Sequence, residues 1–200
     1  MSDFVFRESD RTDKADTLFV VFHGTGGNEH QFFELAGEFL PDAHVVAPRG
    51  KVSEGGALRY FRRTAEGIYD MEDLALRTAE IVAFVQEQKT RLQVSRVLGL
   101  GYSNGANILA SSQFYTPELF DAAILMHPLI PFAPQPADFT SARILVTGGR
   151  HDPICPPQAT QALYDYFSAN GARASLFWHD GGHEIRQAEL IEAQKFLRQG

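Results

Sequence analysis

The chain has 200 residues, 44% hydrophobic and 22% charged, the composition of one folded domain over residues 1–200, which excludes disordered, collagen-like and disulfide-scaffold classes. Eighteen basic against 25 acidic side chains leave a formal charge of -7, so a polyphosphate partner would be repelled and no nucleic-acid partner is expected. No apolar run reaches the roughly 20 residues that span a bilayer, the charged opening stretch lacks a signal-peptide core, and the lone Cys155 has no internal disulfide partner; a cytoplasmic protein without stable membrane insertion is expected.

Taken in chain order, FVFRE near the start reads as an antiparallel edge strand, followed by an apolar strand at Thr17–His23. A helical pattern over Glu29–Leu40 leads to a strand at Ala43–Pro48 and a long irregular segment, Arg49–Tyr69. The longest helix follows over Asp70–Lys89, with Leu74, Thr78, Ile81, Val82 and Val85 on one 3.6-residue stripe and Asp70 as its N-cap. Then come a strand at Val94–Gly101, a helix at Asn104–Tyr115, a strand at Ala122–His127 and a proline-rich stretch, His127–Phe139. The chain closes with a strand at Ala142–Gly148, a helix at Pro157–Asn170 stopped by Gly171, a strand over Arg173–Trp178 and a helix at Ile185–Leu197. Strands apolar on both faces alternate with helices, which predicts an α/β protein with one doubly wound, mostly parallel sheet covered on both sides. Ligands of such sheets bind beyond the carboxyl ends of the strands, so the two irregular segments are candidates for a pocket rim.

The chemistry concentrates at those same strand ends. GYSNG (Gly101–Gly105) is a G-x-S-x-G pentapeptide with a strand before it and a helix after it. That context lifts Ser103 above the sheet at a helix N-terminus, as a nucleophile requires. An ordinary capped β-to-α turn is the bland alternative. A serine nucleophile needs a base and the base a carboxylate; Asp152 follows the strand ARILVTGG, and His183 follows the strand ASLFW. His179, Asp180 and His151 are rivals, but Asp180 shares a short turn with His183, and His179 reads as a packed or surface residue. Backbone N–H groups of Thr25, in HGTGG after the second strand, and of Asn104, next to the nucleophile, are candidates for an oxyanion hole. His23 reads as structural.

HGTGGNE, FRRTAEGIYDMEDL, GYSNGANI, HPLIP, DPICP and GGH stand in this order across nearly the whole chain. Together they resemble the phospholipase/carboxylesterase family of α/β-hydrolases, which includes bacterial carboxylesterases and acyl-protein thioesterases. The closest likeness is to its bacterial branch of hydroquinone-responsive hydrolases. The resemblance implies an α/β-hydrolase fold without a large lid and a serine carboxylesterase. It places nucleophile, acid and base on Ser103, Asp152 and His183, and the oxyanion donors on Thr25 and Asn104. Where better-studied esterases of the family have Gln after the nucleophile, this chain has Asn104, which weakens any transfer of substrate preference.

GALRYFRR sets Arg59, Arg62 and Arg63 among Tyr60 and Phe61 and makes Arg59, Tyr60, Phe61 and Arg62 candidates for the substrate rim, since guanidinium groups clamp anionic oxygens; pairing with the acidic surface is the alternative. The expected ligand is a small-molecule ester or thioester. No cofactor is expected, and no metal, because the seven histidines show no supported ligand spacing. Cys155 reads as a small buried filler. The sequence allows a homodimer and fixes no oligomeric state. An acyl thioesterase or lysophospholipase is the nearest alternative. Two readings of other classes are a catalytically silent binding protein on the same fold and a nucleotide-binding oxidoreductase. Gly99, Gly101 and Gly105 miss the dinucleotide spacing by one residue.

Overall fold

A computed structural model describes residues 3–10 and 15–199; residues 1, 2 and 11–14 of the charged opening stretch, and Gly200, lie outside the described residues. The elements are β1 (Phe6–Glu8), β2 (Thr17–Phe22), α1 (Phe33–Phe39), β3 (His44–Pro48), β4 (Val52–Glu54), β5 (Ala57–Arg59), β6 (Arg63–Ala65) and β7 (Ile68–Tyr69). They continue with α2 (Met71–Leu92), β8 (Arg96–Tyr102), α3 (Asn104–Tyr115), β9 (Ala122–Met126), β10 (Arg143–Gly149), α4 (Pro157–Ala169), β11 (Arg173–His179) and α5 (Gln187–Arg198). Seven strands form the main sheet in the order β1-β3-β2-β8-β9-β10-β11. All neighbours are parallel except β1, which runs antiparallel on β3 with Phe6 opposite Pro48. The expected mostly parallel sheet with an antiparallel edge is therefore present.

Alternation along the buried strands divides the core. Leu18, Val20 and Phe22 of β2 point to one face, where α2, α3 and α4 contribute Phe84, Ile108 and Phe167. Phe19 and Val21 point to the other, beneath α1 and α5, with Phe33, Ala36, Ala193 and Phe196. Asp70 caps α2 by accepting the Asp73 N–H at 3.0 Å.

Two sequence expectations shift. α1 begins at Phe33 instead of Glu29, because the preceding side chains are committed elsewhere: Asn28 Oδ1 takes the His30 N–H, Gln31 Oε1 takes the Gly24 N–H, and Glu29 grips Arg49. The local Asn28 bond holds the chain in a turn and competes with helix formation, and the bonds to Gly24 and Arg49 fix the neighbouring side chains outside a helix. The irregular Arg49–Tyr69 segment contains two short hairpins, β4-β5 and β6-β7.

The strand order sets the site. From β2 the chain steps outward to β3, then returns to the other side of β2 with β8 and proceeds through β9, β10 and β11. The order reverses between β2 and β8, the crevice where ligands of doubly wound sheets bind.

Candidate active site

Ser103 sits between β8 and α3 with φ 52° and ψ -116°. This backbone is costly for a residue with a Cβ, roughly 1–3 kcal/mol, and is kept where the surroundings hold it. The two flanking glycines explain how the turn fits. A Cβ on Gly101 would stand 2.4 Å from the Gly105 carbonyl oxygen, and one on Gly105 would stand 2.4 Å from the Phe22 carbonyl oxygen. The tight turn thereby packs the start of α3 against the end of β2.

His183 and Asp152 arrive from the ends of β11 and β10. Ser103 Oγ lies 2.9 Å from His183 Nε2, and His183 Nδ1 lies 2.8 Å from Asp152 Oδ2. Asp152 Oδ1 accepts the backbone N–H groups of Ile154 at 2.8 Å and Cys155 at 2.9 Å. Burial alone would raise the Asp152 carboxyl; N–H donors from Cys155, His127, His183 and Ile154 outweigh it and hold the group below the ordinary aspartate value. Tyr102 donates its hydroxyl to the His183 carbonyl at 2.7 Å, fixing the loop that carries the imidazole.

Thr25 and Asn104 face the same cavity as Ser103, a pocket of about 210 Å³ that also includes Arg59, Tyr69, Leu129 and His183 in its wall. Asn104 opens α3, whose first-turn N–H groups have no intrahelical acceptor. Its side chain is also engaged: Asn104 Oδ1 accepts the Tyr60 N–H at 2.7 Å and ties the segment around Tyr60 to the Ser103 turn. The HGTGG loop is braced by the Gly26 N–H on Leu58 O at 2.9 Å, by Arg59 Nη1 donating to Thr25 Oγ1 at 2.8 Å, and by His23 Nε2 accepting the Gly50 N–H at 2.9 Å.

The dienelactone hydrolase family profile matches residues 59–187. The chain is 38% identical to the putative hydrolase MhqD of Bacillus subtilis over 188 residues, 92% of this chain and 94% of that protein. The chain belongs to the dienelactone hydrolase family. Among solved structures it resembles the Agrobacterium tumefaciens protein Atu2452, described as of unknown function, with 46% identity and TM-score 0.94 over 98% of this chain and 96% of that one. It also resembles a Bacillus cereus carboxylesterase, with 33% identity and TM-score 0.93 over 98% and 94% of the two chains. The likeness to esterases read from the motifs agrees with these matches.

In this dienelactone hydrolase family member the proposed rim residues divide. Arg59 lines the pocket although it is almost wholly buried, with Glu54 3.3 Å from its Nε. Tyr60 and Phe61 do not reach the rim. Both are buried in the core, Tyr60 donating its hydroxyl to Pro48 O at 2.8 Å and Phe61 packing edge-on against Tyr69. Arg62 points away, pairing with Asp70 and with the buried Asp73 at the start of α2. Arg63 of the same arginine cluster lines the pocket, together with Glu66 and Tyr69.

Sequence reasoning missed a buried polar group behind the site. His127, directly after β9, adopts φ 51° and sets its Nδ1 2.8 Å from the same Asp152 Oδ2 that meets His183. Its Nε2 lies 3.2 Å from His179 Nε2 and 3.4 Å from Glu189 Oε2. Glu189 also accepts from the Thr147 hydroxyl and from the Arg186 N–H. Burial pulls the His127 imidazole down, but its contacts with Glu189 and Asp152 outweigh this and raise it above the ordinary histidine value. Signals for the group were present: His127 ends a central strand between those carrying Ser103 and Asp152, and Glu189 stands in the apolar stripe of α5 with Ala193, Phe196 and Leu197. Two sets, His127-Asp152-His183 and His127-His179-Glu189, bring potential metal-ligand atoms within 4.8 Å of one another. They come from distant parts of the chain, which spacing could not reveal. Asp180 and His151 are exposed, and Cys155 is buried with its thiol pushed up by burial and aimed at the His127 carbonyl. Among the described residues no helix is long and apolar enough to cross a membrane.

Proposed function

We propose that this protein is a carboxylic ester hydrolase acting through an acyl-enzyme on Ser103. The observation that carries the reading is the continuous relay Asp152–His183–Ser103, with contacts of 2.8 and 2.9 Å, ending on a serine held at φ 52°. His183 Nε2 accepts the Ser103 proton as Oγ attacks the acyl carbon, and Asp152 stabilises the resulting imidazolium. The N–H groups of Thr25 and Asn104 receive the oxyanion. Collapse of the tetrahedral intermediate releases the alcohol, which takes its proton from His183; water activated by the same imidazole then frees the acid.

A pocket of about 210 Å³ is below the usual range of drug-sized ligand sites, and β9 and β10 are joined by an irregular segment with no lid helix. Short acyl groups, as oxygen esters or thioesters, suit this space better than long lipid chains. The carboxylesterase similarity favours the oxygen ester.

Treatment with a fluorophosphonate probe, read by intact mass, tests the assignment. Wild-type protein should take up one equivalent and Ser103→Ala none, with an unchanged circular dichroism spectrum. Equal labelling of Ser103→Ala would sink the assignment.

A further inference from the structure

The Asp152 carboxylate is shared. One of its oxygens, Oδ1, is filled by two backbone N–H groups, while Oδ2 lies 2.8 Å from each of two imidazole nitrogens, His183 Nδ1 and His127 Nδ1. Neither imidazole can present a lone pair to an ionised carboxylate at that distance, so both present N–H. The partners behind His127 enforce the same choice. The Gly181 N–H donates to His179 Nδ1 at 3.0 Å, which leaves the proton of a neutral His179 on Nε2; a neutral His127 accepts there and carries its own proton on Nδ1, while a His127 charged beside Glu189 carries protons on both nitrogens. Every proton placement these partners permit keeps N–H on His127 Nδ1.

We propose that His127 is a positioning residue for the triad, a second imidazole donor that pins Asp152 Oδ2 and moderates how strongly it holds His183. The proposal rests on the reading of Asp152 and His183 as a catalytic pair, and it extends that pair to a buried string running from His179 and Glu189 through His127 to the carboxylate. Three features set His127 apart from an ordinary core histidine. It has no exposed side-chain surface. It holds a left-handed backbone that disfavours most side chains. That backbone is fixed at both ends, its N–H on Thr147 O at 3.0 Å and its carbonyl under the Cys155 thiol at 3.2 Å. The groups facing it are Tyr102 from β8, Asp152 and Cys155 from the loop after β10, His179 and His183 from the end of β11 and its loop, and Glu189 from α5.

With one donor removed, Asp152 becomes a stronger acceptor for the remaining one and holds protonated His183 more firmly, so the active base form is reached only at higher pH. Asn offers an amide donor near the Nδ1 position and tolerates the left-handed backbone; Leu fills the volume without a donor. In His127→Leu the fluorophosphonate labelling rate and kcat for p-nitrophenyl acetate should fall about tenfold or more. KM should stay within about twofold, and the acid limb of the pH–rate profile should move to higher pH. His127→Asn should recover the rate to within about threefold of wild type.

Wild-type rate and profile in His127→Leu would overturn the proposal while labelled wild-type protein upheld the serine hydrolase reading. Equal losses in both variants with an unmoved acid limb would reduce His127 to packing and overturn it as well. Should the Leu variant fail to fold, or wild-type Ser103 fail to label, low-field proton NMR decides. A downfield imidazole N–H resonance that persists in His183→Ala and disappears in His127→Asn supports the shared carboxylate; its absence overturns it.

Discussion

At the residue scale the site is a set of side chains whose value lies in being unable to move. Asp152 illustrates this: four N–H donors saturate its two oxygens, so the carboxylate has one orientation and stays ionised. Asp152→Asn replaces an acceptor with an amide that must offer N–H somewhere among those donors, which disfavours the His183 tautomer that the proposed mechanism uses. The expected loss in kcat is about three to four orders of magnitude, by analogy with the same change in a serine protease triad, measured by p-nitrophenyl ester turnover. Gly105 is constrained as tightly by space. Gly105→Ala must push the Phe22 carbonyl away from a Cβ at 2.4 Å, at a cost of about 1–3 kcal/mol or more. Denaturant unfolding should show the lowered stability, and fluorophosphonate labelling should be slowed because the same shift moves Ser103.

At the element scale, helix α2 ties the edge of the sheet to its centre. Phe84, wholly buried on α2, lies 5.0 Å between ring centroids from Phe4 and 5.3 Å from Phe6 on β1. Removing the ring in Phe84→Ala should destabilise the protein by roughly 3–5 kcal/mol, seen as a lower denaturant midpoint. Hydrogen exchange should rise first in β1, an edge strand paired on one side only, with β3. The loop after β2 is held differently, by charge: Arg49 grips both oxygens of Glu29, and the loop so anchored carries Thr25. Much of this scale was legible in the sequence, since the stripe of α2 and the alternation of β2 are direct consequences of period. The start of α1 was not, because the hydrogen bonds that keep residues 28–31 in turns reach Gly24 and Arg49, partners that a helical pattern does not register.

For the whole molecule, the buried ionisable groups predict how stability follows pH. Arg49 lowers Glu29 to about 2. In Asp152 and Glu189 burial pushes upward, but hydrogen-bond donors, including His127 in both cases, leave each carboxyl below its ordinary value. Such groups bind more protons unfolded than folded in acid, so their contribution is complete above the unfolded carboxyl values and is lost as pH falls through the folded ones. His127 is raised and acts in the opposite sense: its contribution is present below the ordinary histidine value and is lost as pH rises through the folded one. Tm should therefore fall on acidification between about pH 5 and pH 3, and Glu29→Gln should flatten that fall. Differential scanning calorimetry across this range checks both; an acid slope unchanged by Glu29→Gln would remove the Arg49 pair from the account.

By itself the sequence determined the order of strands and helices, the two faces of the sheet and the strand-end positions of Ser103, Asp152 and His183, because periodicity and turn chemistry are local and a parallel sheet gathers its carboxyl ends. The tertiary structure alone decided which arginine faces the pocket, that Tyr60 and Phe61 belong to the core, and that His127, His179 and Glu189 converge behind Asp152. The convergence on His127 joins residues 25 to 62 positions apart, where burial requires every polar group to find a partner and no local pattern says which one it will be.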